Sequence, residues 1–146
     1  MNRNRARELK AECEKYYLYG TEIFAGKTVQ ELSKAFNGVG PEWFIPEARK
    51  ILDKISEDIM PAVFIHDCEY AFSDGTLAMF HRANENLERN GIILAKAKYA
   101  WYHPRRYRLI HQTHLFAKIC KLSGWIAYKS AFDAREGVSN NTKEET

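Results

Sequence analysis

No run of about 18 apolar residues occurs in the sequence, so nothing in it reads as a bilayer-spanning helix. Cysteine is scarce. Cys13, Cys68 and Cys120 are odd in number and lack metal-type spacing, which excludes a disulfide framework as the basis of the fold. Net charge is small as well: 22 Lys and Arg oppose 19 Asp and Glu, and a balance of +3 is too mild to argue for a nucleic-acid partner. It is compatible with an anionic membrane surface. The first residues, Met1 to Tyr17, are charged and lack the apolar segment of a signal peptide. Strand-like alternation and internal repeats are missing too. What remains is an all-α expectation: one helical domain over residues 1–135 and a flexible polar tail over 136–146, in a reducing, cytoplasmic setting.

The helical pattern can be traced along the chain. Residues 3–19 are rich in Arg, Glu, Lys, Ala and Leu, which favour helix, and Gly20 and Gly26 punctuate the next stretch. Thr28 with Glu31 forms a capping-box signature, and Val29, Leu32 and Phe36 carry the helical period to a stop at Asn37-Gly38. Pro46 opens a helix to about Lys54, and Pro61 suits the first turn of another. Residues 62–72 are apolar nearly all round, which marks a buried central helix. After the turn Ser73-Asp74-Gly75-Thr76 comes its antiparallel partner, about 76–90, closed by Asn90-Gly91. Leu77, Phe80, Asn84 and Leu87 share one side of it, Asn84 being the polar member. Residues 92–102 are helical again, His103-Pro104 breaks the pattern, and a last helix covers about 106–134 with a bend at Ser123-Gly124.

Chemistry concentrates in the central helix. His66 and Tyr70, four apart, point the same way, and Asp67 is turned by about 100°. A proton can be handled at one point and a cation at the next. Two ionisable residues in an apolar run need partners, because an unpaired buried charge is expensive. Upstream, Phe36-Asn37-Gly38-Val39-Gly40-Pro41 has the glycines that let successive carbonyls turn toward one point. Carbonyls with one carboxylate form the hard-oxygen set that Ca²⁺ prefers.

This pairing resembles the phospholipase A2 superfamily, whose calcium loop of the form aromatic-x-Gly-x-Gly precedes a helix bearing His-Asp-x-x-Tyr. The resemblance covers roughly residues 36–90 and lies with the disulfide-poor phage and bacterial members, since Asn37 and Val39 stand where disulfide-rich members place cysteines. It implies a calcium-dependent hydrolase of lipid esters, cytoplasmic or virion-associated, that works on a phospholipid or membrane surface. His66 would be the general base, and Ca²⁺ would be held by Asp67 and the carbonyls of Phe36, Gly38 and Gly40. Trp43 and Phe44 would contact the lipid. The family also holds the base with an Asp on the next helix, bonded to the helix Tyr. Here Asn84 occupies that position, and it orients an imidazole without offering it charge. The segment between Gly40 and His66 is also longer than in the family.

Three other readings stand beside this one. A non-enzymatic member of the same fold would keep the scaffold with a degenerate site at Asn84. A His-Asp metal phosphohydrolase needs a histidine upstream of the pair, and His66 is the first in the chain. The stretch Tyr99 to Arg108 mixes aromatics with cations, which suits lipid headgroups or RNA. His111 and His114 lack a carboxylate pattern that would make them zinc ligands, and the C-terminal helix offers a face to a protein partner.

Overall fold

A computed structural model describes residues 1–36, 46–126, 128–130, 132, 133 and 136. Its elements are α1 (Arg3–Lys15), a 3-10 turn (Thr21–Phe24), α2 (Val29–Ala35), α3 (Pro46–Ala71), α4 (Leu77–Lys98) and α5 (Pro104–Ser123). There is no strand among the described residues, and the class is all-α as the sequence implies. No helix among them is long and apolar enough to cross a membrane.

Local signals set most helix starts. Asn2 caps α1 by accepting from the Asn4 amide at 2.6 Å, and Thr28 with Glu31 makes the reciprocal capping box of α2. Thr76 caps α4 through the Met79 amide, while Asp74 accepts from both the amide and the hydroxyl of Thr76. His103 caps α5 through its ring, with Pro104 in the first turn. α5 thus begins two residues before the expected position.

Several helix ends differ from the expectation. α1 stops at Lys15 rather than Tyr19: Tyr17 turns left-handed (φ 51°), so that the Leu18 amide reaches the Cys13 carbonyl and the Tyr17 amide the Glu14 carbonyl. This is a Schellman closure with a tyrosine where glycine usually stands. α2 ends at Ala35, with Phe36 already extended.

Pro61, expected to start a helix, lies inside α3. An interior proline costs about 3 kcal/mol through the lost hydrogen bond and ring clash. Ile55 and Ile59 before it and Ala62, Phe64 and Ile65 after it are all buried in one core. Each large apolar side chain contributes about 1.5–3 kcal/mol on burial, so one continuous helix wins.

Asn90-Gly91, expected to close α4, is likewise interior. Gly91 meets Thr113 of α5 so closely that a Cβ would overlap the threonine methyl. The glycine permits helices to approach and does not end one. Asn90 is buried and acts as a surrogate peptide: it accepts from the Tyr19 amide at 2.7 Å and donates to the Tyr19 carbonyl at 2.8 Å.

α3 and α4 are antiparallel, as Tyr70 on Phe80, His66 on Asn84 and Lys98 on the Asp58 carbonyl show in sequence. α5 runs back along α4, with His114 and Lys121 both bonded to Glu88. α1 and α2 cover the other flank of α3 through Leu9, Cys13 and Leu32. All three cysteines are buried and free. The last helix is interrupted at Gly124, where the sequence places a bend: α5 closes at Ser123 and helical residues resume at Trp125. The expected tail over 136–146 lies outside the described residues, Glu136 excepted.

Candidate functional site

Three side chains from two helices meet at one amide oxygen. His66 Nε2 lies 3.1 Å from Asn84 Oδ1, and the Tyr70 hydroxyl donates to the same oxygen, also at 3.1 Å. The four-residue spacing brings the two rings together on one face of α3, tilted by 42° with centroids 4.2 Å apart. Asn84 is fully buried, and its other end donates to the Phe80 carbonyl one turn back at 2.8 Å.

That last bond orients the whole group. The amide nitrogen is committed to Phe80, so the oxygen must face His66 and Tyr70. An amide oxygen only accepts; the imidazole therefore carries its hydrogen on Nε2. Burial pushes the Tyr70 phenol far above its ordinary range, so its hydroxyl stays protonated and donates. The neutral ring then presents Nδ1 as its basic nitrogen. Nδ1 faces Asp67, whose Oδ1 is 3.6 Å away, too long for a direct hydrogen bond.

Glu69 is a further member of the site that sequence reasoning misses. It is buried next to this group, accepts from Asn86 Nδ2 at 2.7 Å, and its Oε2 has no partner among the described residues. Burial raises its carboxyl above the ordinary value, against the opposing pull of Asn86 and His66. Gly20 makes the space: a Cβ there would stand 2.7 Å from Glu69 Oε1. The only sequence signal is a Glu inside an apolar helix.

An aromatic wall adjoins Tyr70, also beyond sequence reach. Tyr128 stacks edge-on to Tyr70 at 5.0 Å, Trp125 lies 5.3 Å from Phe80, and the buried Tyr128 hydroxyl donates to the Thr76 carbonyl at 3.0 Å. The i, i+3 spacing of Trp125 and Tyr128 marks them as one face, but not which helix that face meets.

Of the expected calcium set, Asp67 sits beside His66, and Phe36 packs its ring on Phe64 of the same helix, centroids 5.7 Å apart. Gly38 and Gly40, and with them Trp43 and Phe44, lie outside the described residues. Among the described residues no three His, Cys, Asp or Glu side chains gather as metal ligands. Asp74 and Glu85, the other carboxylates near Asn84 in sequence, do not replace it: Asp74 is tied to Thr76 and Glu85 is exposed.

No family model, curated protein or solved structure matches the chain.

Proposed function

We propose that the protein is a phospholipase A2-like hydrolase of lipid esters in which His66 activates water. The observation that carries this reading is the position of His66: Nε2 held by a fixed acceptor, Nδ1 turned toward a carboxylate. A base needs this restraint, since tautomer and aim decide whether it can take a proton. In the reaction, Nδ1 takes a proton from water, the water oxygen bonds to the ester carbonyl carbon, and the proton then passes to the departing alkoxide. Asn84 keeps the ring in register throughout.

Asp67 is a partly exposed carboxylate, a hard oxygen of the kind calcium takes. Asp67 and the carbonyls of Phe36, Gly38 and Gly40 would hold the ion. When bound, it polarises the ester carbonyl and stabilises the oxyanion.

Fatty-acid release from phospholipid vesicles tests the reading, with Ca²⁺ or chelator, for wild type, His66→Ala and Asn84→Asp. Release that needs Ca²⁺ and disappears in His66→Ala is expected. A full carboxylate behind the imidazole should raise the rate, because it adds a charge that stabilises the imidazolium as it forms. Release from Asn84→Asp alone would instead mark the wild-type site as dormant. Silence from all three variants overturns the enzyme reading.

A further inference from the structure

One cleft among the described residues is not lined by His66. It lies between α3 and α5, about 440 Å³ in volume, lined by Lys54, Asp58, Arg105, Arg108, Leu109 and Gln112. Asp58 precedes His66 by about 12 Å of helix. The cleft is built for an anion. Asp58, its one acid, is already engaged: Arg105 pairs with it at 2.9 Å and the Tyr99 hydroxyl donates to it at 2.9 Å. Lys54 and Arg108 have no ion pair among the described residues, which leaves two cations and the Gln112 amide facing an open concavity. Such a set suits a phosphate oxygen cluster.

Beside the cleft, the connection from α4 to α5 and the first turn of α5 expose large aromatics. Trp101 is 72 % exposed, Tyr102 70 % and Tyr107 58 %. They are not loose: the Tyr107 hydroxyl donates to the Trp101 carbonyl at 2.6 Å, and Arg105 stacks on Tyr99. Exposed Trp and Tyr flanked by Lys and Arg are the side chains that settle at the headgroup level of a bilayer. Stacking on RNA would favour parallel open ring faces, whereas Trp101 and Tyr102 stand edge to face at 87°.

We propose that the α4–α5 corner docks on an anionic phospholipid surface, Trp101 and Tyr102 entering the interface while Lys54 and Arg108 take a lipid phosphate. This does not depend on His66 acting as a base. The two readings can fail separately.

Co-sedimentation of the full chain with phosphatidylcholine vesicles, with and without phosphatidylglycerol, at low and high salt, tests it. Binding should favour the anionic vesicles and weaken with salt. Lys54→Ala/Arg108→Ala should lose roughly 25-fold in partitioning, about 5-fold for each cation removed. Trp101→Ala/Tyr102→Ala should weaken binding to both vesicle types. All four residues are exposed, so the helical circular dichroism should be unchanged. His66→Ala should bind as wild type does, whether or not it hydrolyses. Corner variants that bind like wild type overturn the proposal. So does preference for single-stranded RNA over the anionic vesicles, or binding of inorganic phosphate without vesicle association.

Discussion

Asn84 Oδ1 stands 3.1 Å from His66 Nε2 with its amide nitrogen bonded to the Phe80 carbonyl, and this single arrangement fixes which imidazole nitrogen is basic. A histidine buried in a helix bundle usually needs only a partner. Here the partner's own second bond removes the ambiguity of an amide flip, and the free nitrogen points to Asp67. The cost is that an uncharged residue holds the ring and offers it no charge.

Glu69 makes stability depend on pH. Its folded carboxyl ionises above 4.5, the ordinary value, because burial disfavours the charge. Above that point the native state holds a proton that the unfolded chain has lost, so stability falls as pH rises until the folded carboxyl ionises as well. Glu69→Gln keeps the acceptor for Asn86 and has no proton to lose. Urea melts from acid to neutral pH should show the wild type losing stability relative to Glu69→Gln as pH rises above 4.5. A constant difference would mean that Glu69 does not titrate as burial demands.

Gly91 is expected to resist the usual gain from glycine replacement in a helix. Alanine would add about 1 kcal/mol by propensity. Its methyl, however, meets Thr113 Cγ2, and overpacking of this kind costs about 1–3 kcal/mol. Gly91→Ala should therefore lower the melting temperature, and Thr113→Ser, which removes the offending methyl, should restore it. Additive effects of the two changes in denaturant melts would contradict the close approach.

Tyr17 should respond in the opposite way. It is 91 % exposed and left-handed, so its side chain contributes little packing while its Cβ strains the turn. Tyr17→Gly relieves about 1 kcal/mol and should raise the melting temperature by about 2–4 °C. A fall in melting temperature would show that the tyrosine ring contributes packing after all.

Much of the frame is legible in the sequence because it is local. The all-α class, the capping box at Thr28, the turn before α4, and the shared face of His66 and Tyr70 come from spacing and side-chain chemistry over a few residues. Asn84 as the partner of His66 is what the phospholipase A2 resemblance implies, and the two lie 3.1 Å apart. Punctuation misleads wherever a strong local breaker sits in a well-packed environment. Pro61 and Asn90-Gly91 look like helix ends over ten residues, yet the core around Ile59 and Ile65 and the face of α5 at Thr113 hold the helices through them.

By itself, then, the sequence determined the helical class, most helix starts and which residues of one helix face the same way, since these depend on hydrogen bonds and periodicity within a few turns. Only the tertiary structure decided where helices continue, which tautomer His66 holds, that Glu69 is buried beside it, and that Tyr128 closes over Tyr70. Those outcomes depend on contacts between residues far apart in the chain, whose burial energies exceed the local preferences they override.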